Sequence, residues 1–440
     1  MIVIAPVYRT VADLGNSGGS EAMSAVSFER STGGLLFVAT IMLSLLMIRS
    51  PGTTDVGIWR NWMDTVYENG LASGYSKITL SRQPTGEVVP HPPLSLAILY
   101  VARTLGSAVG LPPRGSIKIA ILIFQLLSAG LILVISRDFW VAAAFNVSIL
   151  LDGVGLGYLD VFFAPWLIGA FWAFQSKRHV LGTALFLMAC LTKWQPLIVT
   201  PFIAIYLFQI SDLRSLLGAL NKLLFWQLLM IVTATIALLG LIFGIAPLLA
   251  LQTAMDDLRV SGNTLNLPWI GGCLVTFIFY PSFSIQGNEF PTITAPSALY
   301  LLPIKIMFVI VFGSLVVRAI RSDKSFRNCL LFSIVGFVTY VMWNSGVHEN
   351  HWFVAVVLAY MLMLHSRTHE HWTIATIITV MANINLFVFY GVTGTTEFQS
   401  RVVGVDLSIT FAMLYATAWF LLAAYAWRVA CSRTAHYDDR

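Results

Sequence analysis

Long apolar segments, separated by short polar stretches, run along most of the chain. An α-helix needs about 20 predominantly apolar residues to cross a bilayer, where it must satisfy its own backbone hydrogen bonds. The pattern therefore predicts an all-α polytopic membrane protein. Its twelve predicted spans are residues 35–49, 117–136, 139–151, 158–175, 180–192, 196–210, 223–247, 299–317, 328–343, 352–365, 372–390 and 407–427.

Two further apolar stretches, 94–110 and 267–281, could either span the membrane or lie at its surface. If neither spans, most basic connections fall on one side, as is typical of the cytoplasmic side. These connections carry Arg137, Lys177, Arg178, Arg214, Lys222, the basic residues of 318–327, Arg367, Arg428 and Arg433. If both span, the middle of the chain loses this bias. We therefore expect twelve spans with both termini cytoplasmic, although Arg103, Arg114 and Lys118 then lie outside.

This topology predicts a simple domain organisation. Residues 1–34, rich in Gly and Ser, are expected to form a flexible cytoplasmic tail. Residues 35–430 form a single transmembrane domain, with an external loop at about 50–115, and residues 431–440 form a cytoplasmic C-terminal tail.

The composition agrees with a membrane protein. Hydrophobic residues make up 57% of the 440 positions and charged residues only 11%, less than half of the roughly 25% found in soluble domains. The net charge of +5 does not indicate a nucleic-acid partner, because Lys and Arg lie in short loops between apolar segments. The four cysteines lie far apart without the spacing of a metal site.

Polar residues gather on the predicted outer side of the membrane. They are Asp55, Asp152, Asp160, Lys193, Asp256, Asp257, Asn263, Asn266, His348 and Glu349. Ionisable groups at membrane depth are costly and usually face a cavity or a partner, so this grouping predicts one site facing away from the cytoplasm. The chain has no Walker-type or GxGxxG phosphate loop, and a donor used on that side would have to be carried by the membrane.

The longest polar interval before the C-terminal tail begins with Asp55 in DVGIWRNWM and ends at the rigid sequence His91-Pro92-Pro93. We interpret this interval as the segment that covers an active site. A carboxylate beside Arg60 could accept a proton from an attacking hydroxyl. Alternatively, Asp55 caps an interfacial helix that Trp59 and Arg60 anchor, and the two prolines only start the next helix.

Two interruptions of the apolar pattern add candidates. In LLDGVGLGYLD, Asp152 or Asp160 could bind a metal or orient a sugar hydroxyl, although acids in a tight external turn explain the sequence almost as well. In TKWQP, Lys193 could neutralise a phosphate where Pro196 breaks the helix. A lysine at a helix end can also extend towards the membrane surface.

Two further segments could contact a substrate. In VHENHW, His348 and Glu349 could contact a donor phosphate or sugar, whereas two histidines three residues apart indicate a metal only weakly. In residues 256–273, Asn263 and Asn266 could hydrogen-bond a saccharide and Trp269 could stack on one. A polar loop with a Trp anchor and an interfacial helix are the respective alternatives.

Taken in order, DVGIWRNWM, HPPLSLAILYVA, LDGVGLGYLD, TKWQP and VHENHW resemble the GT-C glycosyltransferases. The similarity is greatest to family 57, the endoplasmic-reticulum glucosyltransferases that use dolichyl-phosphate glucose. It covers Asp55 to Glu349. His91 stands where that family has Tyr, Asn350 stands where it has Lys, and of its Asp-His-Gly-His-Phe-Gln-Tyr turn only Asp152 and Tyr158 remain.

The resemblance implies a GT-C bundle of about twelve transmembrane helices with interfacial helices in the first external loop. It also implies that Asp55 is the catalytic base. The residues implied to bind the donor phosphate or sugar are Arg60, Lys193, Gln195, His348 and Glu349. The acceptor-binding or structural candidates are His91, Asp152, Tyr158, Asn263, Asn266 and Trp269.

The implied activity is inverting transfer of a hexose, glucose or mannose, from a polyprenyl-phosphate sugar to a lipid-linked or extracytoplasmic saccharide. We expect a bacterial plasma membrane, membrane lipids as partners, and a site on the periplasmic or exterior face. No cofactor is required; a divalent metal is conceivable, but the sequence contains no convincing carboxylate cage for one. The alternative is a lipid-linked-saccharide flippase or transporter, which predicts internal repeats and midplane charges.

Overall fold

The computed structural model describes residues 19–80, 91–279, 295, 297–394 and 404–429. Within these residues the chain forms eighteen α-helices and no β-strand beyond one isolated bridge. The helices are α1 (Gly19–Met47), α2 (Asp55–Asn69), α3 (Leu71–Leu80), α4 (Pro93–Ala108), α5 (Pro113–Ser136), α6 (Phe139–Ser148), α7 (Ala164–Gln175), α8 (His179–Thr192), α9 (Thr200–Phe208), α10 (Leu213–Ala219), α11 (Leu223–Phe243), α12 (Ala246–Met255), α13 (Leu267–Phe279), α14 (Ala298–Arg321), α15 (Phe326–Trp343), α16 (Trp352–Ser366), α17 (His369–Tyr390) and α18 (Gly404–Val429). Short turns of other helical types lie at Leu151–Gly155, Leu159–Phe163, Gln195–Val199 and Glu349–His351.

Each of the twelve predicted spans coincides with helical structure. Within the described ranges, six helices are long and apolar enough to cross a membrane: α5, α11, α14, α15, α17 and α18. A seventh span results if the segment Gln195–Phe208 and α10, which meet at 85°, are counted as one. The chain is therefore an integral membrane protein. The number twelve stays a prediction, because several of the remaining apolar helices are only 10–17 residues long.

The predicted tails differ in how far the structure describes them. Helix α1 already begins at Gly19, inside the segment expected to be a flexible tail. The predicted C-terminal tail, 431–440, lies outside the described residues. The ambiguous stretch 94–110 corresponds to α4, and the described part of 267–281 corresponds to α13.

Burial separates central helices from peripheral ones. In α15, 83% of the most apolar 18-residue window is buried, whereas in α11 only 6% is buried. Helix α16 packs between α15 and α17, with buried side chains from Trp352 to Met363. The large exposed aliphatic surface of α11 and α14 is what lipid-facing helices present.

The chain leaves the α-helical conformation at the end of α6. After Ser148 the chain enters the π-helical turn Leu151–Gly155, which frees backbone groups from the regular α-helical pattern. The Lys118 ammonium donates to the carbonyls of Val154 at 2.7 Å and Gly155 at 3.1 Å. The side-chain carbonyl of Gln125 accepts the Val154 N–H at 3.2 Å. These bonds satisfy the freed groups, as apolar surroundings require.

The region predicted to form the external loop is packed onto this bundle by specific contacts. Helix α2 lies against α3, α4 and α5. The Ser95 hydroxyl of α4 donates to the carbonyl of Thr192, the last residue of α8. Arg103 and Asp64 form an ion pair at 3.0 Å between α4 and α2. The start of α4 is thereby attached to the residue that precedes Lys193.

Candidate functional site

Distant parts of the chain meet in one group of ionisable and phenolic residues. We call this group the polar cluster. It comprises Asp55, Tyr158, Asp160, Lys193, Asp257, Arg259, His348 and Glu349. Its members lie at helix ends and in connections, where backbone and side chains are free to face a shared space.

Asp55 is the first residue of α2, and its carboxylate has no hydrogen bond or ion pair to the described residues. Burial raises its pKa from 3.8 to about 6, and the charge of Glu349 adds to the increase. The charges of His348, Lys193 and Arg259 act in the opposite direction. Asp55 is therefore an unpaired carboxylate, largely ionised at neutral pH, that is able to accept a proton.

Lys193 directly follows α8 and forms a buried ion pair. Its ammonium lies 3.0 Å from Oδ2 of Asp160, and the two side chains are only 7% and 2% exposed. The Asn350 side-chain amide donates to the same oxygen at 2.8 Å. The positive charge predicted to face a phosphate is therefore already balanced within the protein.

Glu349 is bound by a phenol. The Tyr158 hydroxyl donates to Glu349 Oε1 at 2.5 Å, and the Tyr158 ring packs edge-on against Tyr390 at 6.2 Å between centroids. The Tyr390 hydroxyl accepts a hydrogen bond from the Asn263 amide at 3.0 Å. Tyr158 and Asn263, both predicted candidates, thus lie in one row with Glu349.

Two loop segments pair beside the cluster. The Gly346 N–H donates to the Arg259 carbonyl at 2.8 Å, and the Gly262 N–H donates to the Val347 carbonyl at 2.8 Å. The Glu349 N–H donates a hydrogen bond to the Gly262 carbonyl at 3.0 Å. These backbone bonds fix residues 259–262 against residues 346–349, and with them the ends of α12 and α15.

His348 lies between two carboxylates of this paired segment. Its Nε2 is 3.2 Å from Asp257 Oδ2, and its Nδ1 is 4.0 Å from Glu349 Oε2. Arg259 Nη2 also contacts Asp257 Oδ2, at 3.0 Å. Burial alone would raise the pKa of Asp257, but hydrogen bonds from His348 and Arg259 outweigh it and hold the pKa below its usual range.

Gln195 contacts a histidine. Its Nε2 lies 2.7 Å from His351 Nε2, while His351 Nδ1 accepts the His348 N–H at 3.3 Å. Because Nδ1 is an acceptor, neutral His351 carries its proton on Nε2. Rotating the Gln195 amide by 180° then lets its Oε1, otherwise buried without a partner in the described part of the chain, accept that proton. Burial lowers the pKa of His351 well below its ordinary value, as do the charges of His348 and Lys193.

His91 lies at the edge of the cluster. Its ring contacts Trp59 and Trp62, with centroids 5.0 and 5.4 Å away. Burial lowers its pKa well below the ordinary value, and the charges of Lys193 and His348 add to the effect. The imidazole is therefore neutral, and the His91 carbonyl accepts a hydrogen bond from Tyr75 at 3.0 Å.

Asp152 is only 3% exposed, and neither carboxylate oxygen has a hydrogen-bond partner among the described residues. It lies within electrostatic range of Asp160, Lys193 and Glu349. No group of three or more His, Cys, Asp or Glu side chains in the described ranges is arranged to hold a metal ion.

Three predicted residues have their contacts elsewhere. The Arg60 side chain is 60% exposed and lies 4.0 Å from Asp64. Asn266 accepts the Trp269 N–H at 2.8 Å and donates to the Val341 carbonyl at 3.0 Å, which places it at the start of α13. The Trp269 indole donates to a hydroxyl of α18. These contacts hold helices together, and the predicted binding roles stay predictions.

Several residues in the polar cluster or in contact with it were assigned no individual role from the sequence. Asp257 could have been singled out, because it is one of two consecutive acids in a polar segment. Asn350 and His351 lie in the VHENHW segment. No sequence pattern distinguishes Arg259 and Tyr390 from other residues that border the apolar segments.

Chemically, the cluster combines an unpaired carboxylate with cationic groups at its border.

A scan against protein-family models finds no match, and a search of curated proteins finds none either.

Proposed function

We propose that the protein is an inverting GT-C glycosyltransferase with twelve spans and both termini in the cytoplasm of a bacterium. In this proposal it transfers a hexose, glucose or mannose, from a polyprenyl-phosphate sugar to a lipid-linked or extracytoplasmic saccharide. The polar cluster then faces the non-cytoplasmic side of the plasma membrane. The observation that carries the proposal is the unpaired carboxylate of Asp55, with its raised pKa, beside the charged ends of three other segments.

In the proposed reaction the acceptor hydroxyl oxygen attacks the anomeric carbon while its proton passes to Asp55. The bond between that carbon and the lipid-phosphate oxygen breaks, and its electron pair leaves with the phosphate. Attack from the face opposite the phosphate inverts the anomeric configuration. A general base within hydrogen-bond reach typically accelerates such a step by about 10²–10⁴-fold.

The growing negative charge on the phosphate needs a positive partner. His348 is favoured over Lys193 for this role, because its side chain is 28% exposed while that of Lys193 is 7% exposed and paired with Asp160. Lys193 then acts by holding Asp160 and Asn350 in place. No cofactor takes part in the proposed reaction.

The test is sugar transfer by purified protein in detergent. Radiolabelled polyprenyl-phosphate glucose or mannose is supplied with host lipid-linked saccharides, with and without EDTA. Wild type is compared with Asp55→Asn and Asp55→Ala, and Asp64→Asn is the control acid on the same helix. We expect transfer by wild type and control, and loss of at least 100-fold in both Asp55 variants with donor binding retained.

Full transfer by both Asp55 variants would remove Asp55 from the reaction. No transfer from any donor, together with movement of lipid-linked sugar across liposomes, would favour the flippase instead.

A further inference from the structure

Asp257 has a carboxylate whose two oxygens are fully engaged. Oδ1 accepts hydrogen bonds from the backbone N–H of Arg259 at 2.9 Å and from its Nε at 3.0 Å. Oδ2 accepts from Arg259 Nε at 3.0 Å and lies 3.2 Å from His348 Nε2. A carboxylate with this many donors is a poor base. Its contacts instead orient the groups around it.

The backbone around Asp257 is equally constrained. Gly346 has φ +68°, a conformation that favours glycine, and a Cβ there would lie 3.1 Å from the Asp257 Cβ. The Gly346 N–H is bound to the carbonyl of Arg259. Asp257 is therefore held close to the loop that carries His348.

His348 is restrained on several sides. Its Nε2 must carry a proton to donate to Asp257. A Cβ on Gly262 would come within 2.9 Å of its Nδ1, so the backbone leaves no room behind the ring. The rings of His348 and His351 lie 5.4 Å apart. The Nδ1 of His348 lies 4.0 Å from Glu349 Oε2, at the start of the turn Glu349–His351.

We propose that Asp257, held by Arg259, is a positioning residue that fixes the His348 imidazole through Nε2 in the orientation in which His348 contacts the leaving phosphate of the donor. This inference rests on the proposed function and adds a residue to it. Partners that orient metal-binding side chains in this way typically change affinity or activity by about 10–100-fold when they are mutated, and we expect an effect of the same order here.

A double-mutant cycle tests this role. The variants are Asp257→Asn, His348→Ala and the double variant, with Asp64→Asn as the matched control. Asp64, like Asp257, forms an ion pair with an arginine at 3.0 Å, but away from the cluster. kcat and the KM values for polyprenyl-phosphate glucose and for the acceptor are measured for each variant, together with the elution profile and unfolding midpoint in detergent.

We expect Asp257→Asn to lower kcat about 10-fold or more with little change in acceptor KM, and Asp64→Asn to change it less than about 2-fold. In the His348→Ala background the same change should cost less than about 2-fold, because the group that Asp257 orients is gone. If Asp257→Asn does not fold, Arg259→Lys, which keeps the charge but loses the forked contact, replaces it in the cycle.

The outcomes separate the two proposals. The positioning role would be refuted if the losses of the two single variants multiplied in the double variant, or if Asp257→Asn kept the wild-type kcat. In either case, transfer by wild type would leave the proposed function standing. No transfer by wild type would refute the proposed function and this role with it.

Discussion

Replacing Asp55 by Asn is expected to make the protein more stable while abolishing transfer. Asp55 is charged at neutral pH, yet it has no bonded partner among the described residues and lies beside Glu349. Folding therefore places an ionised carboxylate where its charge is more costly than in water. An amide of the same shape removes this cost.

The magnitude follows from the pKa. The change from 3.8 to about 6 corresponds to about 3 kcal/mol in the free energy of unfolding, at about 1.4 kcal/mol per pKa unit. Below pH 3.8 both the folded and the unfolded state are protonated, and the cost is absent. Between pH 3.8 and about 6 the unfolded state loses its proton first, so stability falls as the pH rises. Above about pH 6 the full cost remains.

The assay is the unfolding midpoint in detergent at pH 4, 5, 6, 7 and 8. Asp55→Asn should exceed wild type by a few degrees at pH 7 and 8, with the difference shrinking towards pH 4. Asp64→Asn, which loses an ion pair with Arg103 instead, should show no gain. A lower midpoint for Asp55→Asn at pH 8, or an equal gain at every pH, would refute the reasoning that ionisation of Asp55 is costly.

Three further outcomes follow from the same structure. The rate of transfer should fall on acidification with a midpoint near pH 6, as Asp55 takes up a proton; a rate that is constant from pH 8 to pH 5 would contradict a base with this pKa. Lys193→Ala leaves Asp160 buried without its cation and should lower the free energy of unfolding by about 3–5 kcal/mol. The double variant Lys193→Met with Asp160→Asn should recover most of this loss, and urea or thermal unfolding measures both. Gly336→Ala places a Cβ 2.2 Å from the Phe202 ring and should cost about 1–3 kcal/mol, and an unchanged unfolding midpoint would show that α9 and α15 can separate.

Hydropathy predicted the helices well because burial in lipid and burial in protein demand the same apolar side chains. All twelve predicted spans coincide with helical structure. The pattern could not predict which helices face lipid. Helices α11 and α15 both pass as membrane spans, with mean hydropathies of 2.2 and 1.4, yet 6% of the apolar 18-residue window of α11 and 83% of that of α15 is buried.

The site was predicted in part, and the reasons are local. Asp55, Lys193, His348 and Glu349 stand out because each interrupts or borders an apolar run, and they do come together. Arg60 follows Asp55 by five positions, about 140° around a helix, and therefore points to another side of α2.

Partners across the fold were not predictable from the sequence alone. The pair Lys193 and Asp160 depends on how α8 packs beside the turn Leu159–Phe163. Asp257 reaches His348 only because residues 259–262 pair with residues 346–349, which lie far along the chain.

The burial of α16 has a consequence for how the protein is made. This helix is surrounded by protein, with its buried face extending all the way round from Trp352 to Met363. As one of the twelve predicted spans, it would first meet lipid on insertion and would exchange lipid for protein when α15, α17 and α7 pack around it. Membrane insertion and assembly are then separate events for this segment. A chain truncated after α16 would hold its most central helix against acyl chains, in a form that quality-control proteases can recognise.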